Sequence, residues 1–104
     1  MDVDLLHIGD CPNWRETERD LRDLIAGSAD VVLRVHEVTS AGEAVRVGFG
    51  GSPTVLVDGR DPFPADSTTG LACRVYATPE GLRGRPTRAQ LRAALGLSST
   101  EGDA

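Results

Sequence analysis

An apolar run that halts at a glycine and meets a proline three residues later leaves this chain few ways to fold. Val3, Leu5, Leu6 and Ile8 read as a short, largely buried strand ending at Gly9. Pro12 suits the first position of a helix, where its missing N–H is not needed. Trp14, Leu21, Leu24 and Ile25 recur at helical spacing and give one apolar face, and Arg15, Glu18, Arg19 and Arg22 fall largely outside it. Gly27 is the expected stop. The lone thiol of Cys11 sits at this strand-to-helix junction.

The remaining elements follow from similar signals. Residues 30–38, DVVLRVHEV, are rich in β-branched side chains and predict a second strand. Ser40 and Glu43 have the spacing of a capping box ahead of a short helix from Ala41 to about Val47. Gly48, Gly50 and Gly51 break it. Residues 53–59, PTVLVDG, predict a third strand ending in an Asp-Gly turn. Residues 71–76, LACRVY, predict a fourth. Thr87 and Gln90 form another capping-box pattern, opening a last helix to Leu95 with Gly96 as its stop. The order is β-α-β-α-β-β-α. Its first half demands a right-handed parallel crossover, and its last two strands predict an antiparallel hairpin. The expectation is an α/β fold with one four-stranded mixed sheet and helices on both faces. Residues 1–96 form a single domain and 97–104 a frayed tail.

The chain has 104 residues, 39% hydrophobic and 26% charged, ordinary for one small soluble domain. One Trp, one Tyr and two Phe leave the core to Leu, Val, Ile and Ala. The net charge of −5 argues against nucleic acid or an anionic membrane as partner, because phosphate binding needs a basic footprint. No apolar run approaches the roughly 18 residues that span a bilayer. The acidic start, Met1-Asp2-Val3-Asp4, lacks the basic segment of a secretory signal. A cytoplasmic location is therefore expected. Two cysteines in such a chain are not a disulfide scaffold; they are buried apolar residues or reactive ones. No cofactor is expected. The stretch GFGGSP lacks the Lys and helix of a phosphate loop. His7, His36 and two separated cysteines have no recognised zinc spacing, so no metal site is expected.

The element order, with Cys11-Pro12 at the first strand-helix junction and Ser52-Pro53-Thr54 ahead of the third strand, resembles the thioredoxin fold over roughly residues 2–96. The chain is also similar to a group of short bacterial thioredoxin-like proteins, some labelled alkylmercury lyase. The resemblance implies that Cys11 takes the nucleophile position and Pro53 that of a cis-proline facing it. The family's Cys-x-x-Cys reads Cys11-Pro12-Asn13-Trp14 here, with no resolving thiol at position 14. The resemblance further implies that Ser52 aims backbone groups at whatever binds Cys11, recognising an extended peptide or a thiol-bearing tripeptide by strand-like pairing. Pro12, Trp14, Ser52 and Thr54 would then line the substrate site. A plain trans turn at Pro53 is the structural alternative.

A thiol at a helix N-terminus feels the positive end of the dipole, which favours thiolate. Arg15 helps; Asp10 and Glu16 oppose. The alternative is a half-buried Cys11 that only caps the helix. Cys73 alternates with Leu71 and Val75, so the three share one strand face. That setting predicts a buried cysteine; the functional alternative is a resolving thiol or a soft-metal ligand. The resemblance implies that the third strand lies between Cys11 and the fourth, which weighs against a direct Cys11–Cys73 pair within the Cα limit of about 7 Å for a disulfide. Trp14 is expected to pack rather than to stack on substrate. The connection from 60 to 70 is longer than the usual 2–5 residues of a hairpin loop; in it, Phe63 either covers the site, mediates self-association or lies on a plain surface loop. Three functions remain open. One is a thiol module acting through Cys11 on a protein or low-molecular-weight thiol, a possible thiol-disulfide oxidoreductase. The second is a non-enzymatic binding domain. The third is a soft-metal or organomercurial site using Cys11 and Cys73. The oligomeric state is not readable from these residues.

Overall fold

A computed structural model describes residues 1–9, 11–28, 30–63 and 71–96. The expected tail, 97–104, and most of the long connection, including Asp66, lie outside the described residues, as does Asp10. The elements run β1 (Asp2–His7), α1 (Asn13–Ile25), β2 (Val32–Glu37), α2 (Ala41–Val47), β3 (Thr54–Val57), β4 (Tyr76–Thr78), β5 (Gly81–Arg83) and α3 (Arg88–Ala94). The first three strands form a mixed sheet in the order β2-β1-β3. β1 is parallel to β2, with Leu5 opposite Val35, and antiparallel to β3, with Leu5 opposite Val55. Among the described residues, no helix is long and apolar enough to cross a membrane.

Period-2 alternation along β1 divides the core. Val3 and Leu5 join Leu21 of α1, Val55 of β3, and Leu91 and Leu95 at α3 in one buried cluster. Leu6 and Ile8 point the other way and join Cys11, Val38, Ala44 of α2, and Phe49 in a second. Helices therefore cover both faces. The inward face of α1 also carries Thr17, fully buried, whose hydroxyl donates to the Asn13 carbonyl at 3.3 Å. α1 ends at Ile25 with Ala26 as its cap in αR, so Gly27 takes no part in a left-handed stop.

The caps read from sequence form at the later helices. Ser40 accepts from the Glu43 N–H at the start of α2, and Gly48 closes that helix in αL. Thr87 accepts from the Gln90 N–H at 3.1 Å while Gln90 accepts from the Thr87 N–H at 2.8 Å, a reciprocal box. The Gln90 amide also donates to the Ala77 carbonyl at 2.8 Å, tying α3 to β4. Asp58 and Gly59, with φ of 52° and 83°, make the expected tight turn after β3.

The expected four-stranded sheet is corrected. Three strands make the main sheet, and β4-β5 make a separate two-stranded one. Residues 71–75 touch the main sheet's chain at one isolated bridge, Cys73 with Ser52. The ladder does not run on from there: Arg74 and Tyr76 turn inward, and the Tyr76 hydroxyl donates to the Pro53 carbonyl. Nor does the turn after β3 grow into a hairpin: pairing stops at Val57 with Arg60, and Pro62 soon follows. Tyr76 instead opens β4, which turns at Pro79-Glu80 and pairs with β5.

Two measurements check this account. Thr87→Ala removes one half of the capping box on the helix that carries Leu91 and is expected to lower stability by about 1 kcal/mol, with an unchanged urea m-value. Tyr76 is the chain's one tyrosine, and burial is the main force holding its phenol well above the usual range. The folded state thus prefers the neutral phenol. That stability is fully present below about pH 10, the unfolded value, and is lost as pH rises beyond it. Tyrosinate absorbance should therefore appear only with alkaline unfolding, followed by Trp14 fluorescence. A midpoint near the ordinary tyrosine value in still-folded protein would refute the buried setting.

Candidate functional site: the Cys11–Cys73 disulfide

The site begins where β1 ends. The Cys11 N–H reaches back to the Ile8 carbonyl at 3.4 Å, closing a turn that turns the Cys11 side chain into the second core cluster. Pro12 follows as the exposed N-cap of α1, with no side-chain capping bond. Cys11 thus stands two residues before the helix, at the positive end of its dipole. Its residue is 0% exposed. The Asn13 side-chain amide points at the sulfur, with Nδ2 3.8 Å from Sγ. Gly84 makes room for that amide, since a Cβ there would overlap it.

Cys11 is joined to Cys73 in a disulfide, with Cα atoms 6.0 Å apart and a sequence separation of 62. Two expectations are corrected here. Cys11 does not act as a lone, accessible thiol: it is walled off from water and has a partner. Cys73 is not a buried strand residue: it is exposed, as are Leu71 and Val75 on the same alternation. The reason is that β3 does not lie between the cysteines. Cys73 bridges to Ser52, before β3 starts, and that position faces Cys11 directly.

Ser52 makes the geometry. Its hydroxyl accepts from the Ile8 N–H at 3.1 Å. Its own N–H donates to the Ala72 carbonyl at 2.8 Å, and its carbonyl accepts from the Arg74 N–H at 2.9 Å. The carbonyl also lies 3.7 Å from Cys11 Sγ, a contact rather than a hydrogen bond, because a disulfide sulfur carries no hydrogen. The Ser52-Pro53 bond is cis. Thr54 Oγ1 accepts from the Gly50 N–H at 3.0 Å and donates to the Gly51 carbonyl. Ser52, Pro53 and Thr54 are all fully buried. The groups of Ser52 and Thr54 read as ligand contacts are therefore engaged within the chain and shape the loop.

Trp14 packs, as its spacing indicates. Its ring stacks on the buried His7 ring, centroids 3.8 Å apart and planes at 12°, and the Arg15 guanidinium lies 5.1 Å from it. Phe63 lies edge-on to Tyr76 at 5.2 Å and packs against the first core cluster. His36 meets Glu43 at 2.6 Å, and the backbone N–H of Thr39 is the main cause holding the Glu43 carboxyl below its usual range.

Several contributors went unread in the sequence. Arg74, next to Cys73, is only 3% exposed. It pairs with Asp61 at 2.6 Å, donates to the Phe63 carbonyl at 3.2 Å, and lies 4.3 Å over the Tyr76 ring. Its Nε has no partner among the described residues. The Tyr76 hydroxyl donates to the Pro53 carbonyl. Nothing in RV or RD signals a buried arginine, and its acid is thirteen residues away. Gly51 was a readable signal: its φ is +111°, and a Cβ there would lie 2.7 Å from Arg74 Cβ. Two cavities carry paired charges among their lining residues. One, of about 450 Å³, is lined by Asn13, Asp20, Arg83, Arg85 and Arg88 among others, and Arg85 and Arg88 are paired there with Glu16, Asp20 and Asp23. The other, of about 570 Å³, lies over Leu6, Arg34, His36 and Leu56 on the sheet. Among the described residues no group of three or more His, Cys, Asp or Glu is placed to hold a metal.

No family model matches the chain, and no curated protein and no solved structure matches it.

Proposed function

We propose that this chain is a thioredoxin-like thiol–disulfide exchange protein whose working pair is Cys11 and Cys73. The observation that carries the reading is the asymmetry of the disulfide, which joins a fully buried cysteine to an exposed one. The thioredoxin-like part rests on β1 parallel to β2 and antiparallel to β3, on a cysteine ahead of α1, and on a proline ahead of β3.

Exchange proceeds by thiolate attack on a disulfide sulfur, and access decides which sulfur is attacked. A partner thiolate, on a protein or a small thiol, attacks Cys73 Sγ. The new S–S bond forms as the bond to Cys11 breaks, and Cys11 leaves with the electron pair. The helix dipole and the Asn13 amide face the charge that develops there. In the reverse direction Cys11 attacks the mixed disulfide at Cys73 and releases the partner. The roles differ from the sequence reading: Cys73 meets the partner, and Cys11 resolves.

A second reading draws on the complete burial of Cys11. In it the disulfide is a permanent staple on a binding domain. The two readings part in a redox titration. Exposed disulfides are the labile ones, whereas structural disulfides have potentials below about −300 mV. Equilibration of the full chain in dithiol buffers should give a potential above that value, and a lower one would leave only the staple. Single-cysteine variants give the second check. Cys11→Ser, which keeps the exposed Cys73 thiol, should react with an aromatic disulfide reagent at least about tenfold faster than Cys73→Ser, as access governs the rate. Faster reaction at Cys11 would overturn the assigned roles.

A further inference from the structure

We propose that the outward edge of residues 71–75 is a docking strand for an extended peptide that carries a free cysteine between apolar residues. The proposal rests on the exchange reading and names its partner class. The bridge to Ser52 uses the Ala72 carbonyl and the Arg74 N–H. In a parallel bridge the N–H and C=O of the intervening residue point to the opposite edge. Those groups belong to Cys73, and among the described residues they have no partner. An unpaired strand edge is a template for another strand.

The side chains agree with the backbone. Leu71 and Val75 are 44% and 60% exposed, flank the exposed Cys73, and share its side of the alternation. Arg74 and Tyr76 point the other way, both 3% exposed, and are held by Asp61, Phe63 and Pro53. The edge is therefore fixed from beneath before any partner arrives, which lowers the ordering cost of binding. In a chain of net charge −5 this stripe is neutral, so it selects apolar flanks rather than basic ones. A peptide paired along the edge brings its cysteine to Cys73 Sγ. Its thiolate forms a bond to that sulfur while the bond to Cys11 breaks and Cys11 departs as thiolate. The chain's own disulfide is the two-electron acceptor.

The test uses the oxidised full chain and capped pentapeptides with a central cysteine, read by mass spectrometry of the mixed disulfide. One peptide has Val and Leu beside the cysteine, a second has Ser at both places, and a third repeats the first with methylated backbone nitrogens. The first should react at least about tenfold faster than the third, the effect of one or two net backbone hydrogen bonds. It should also outpace the second. Leu71→Ser with Val75→Ser, both on exposed positions, should erase the preference while leaving the rate with 2-mercaptoethanol unchanged. Equal rates for all three peptides, with 2-mercaptoethanol still opening the bond, would overturn the docking strand and leave the exchange reading standing. A disulfide that no thiol opens would overturn both. Self-association of the oxidised chain that blocks the peptides and is lost in the double variant would assign the edge to a second copy, and overturn the peptide.

Discussion

The site depends on one buried serine. Ser52 uses its N–H, its carbonyl and its hydroxyl on groups from two other segments. The hydroxyl fixes Ile8, and through the turn from Ile8 it fixes Cys11. The backbone groups fix residues 72 and 74, and so Cys73 between them. The two sulfurs meet because both chains are registered on the same residue. Removing the hydroxyl would leave the Ile8 N–H buried without an acceptor, which costs about 1–3 kcal/mol. It would also loosen the end of β1 from the loop before β3.

Arg74 explains why Cys73 faces outward. A guanidinium buried in an 11.0 kDa domain is expensive to desolvate. Asp61, the Phe63 carbonyl and the Tyr76 ring offset that cost, though Nε has no partner among the described residues. With Arg74 and Tyr76 turned inward, alternation sends Cys73 and Val75 out. Gly51 belongs to the same arrangement, because any Cβ there would meet Arg74. A surface position for Cys73 is thus imposed by its buried neighbours. An apolar-looking stretch, LACRVY, hid this, since Leu71 and Val75 are exposed and its arginine is turned inward.

What could be read from sequence was what local chemistry dictates. The boundaries of α2, the cap at Ser40, the box at Thr87, the Asp58-Gly59 turn and the two faces of β1 follow from capping, turn preference and period 2, each contained within a few residues. The junction at Cys11-Pro12 was legible for the same reason. The fourth strand was not, because its absence depends on contacts between distant residues, Arg74 with Asp61 and Tyr76 with Pro53, and on Pro62 withholding an N–H from a hairpin with the third strand. The burial of Cys11 and the pairing with Cys73 were hidden likewise. Both are set by Ser52, whose three contacts lie far away in the chain. Asn13 and Tyr76 carry no pattern that marks them as neighbours of sulfur or proline.

The attachments of residues 71–76 bear on what the disulfide is for. A cross-link spanning 62 residues restricts the unfolded chain by about 4 kcal/mol in the chain-entropy account, a large share of the 5–15 kcal/mol typical of a domain. A staple of that strength could hold its segment alone. Yet the segment is also held by two backbone bonds to Ser52, by Arg74 on Asp61, and by Tyr76 on Pro53. These contacts do not involve either sulfur, so opening the bond between them does not by itself remove any of them. The thiols then stay near each other at high effective concentration, one anchored in the core and one on the surface. In the exchange proposed above, attack of Cys11 on a mixed disulfide at Cys73 would then be an intramolecular step, its direction set by the difference between the partner's potential and the chain's own.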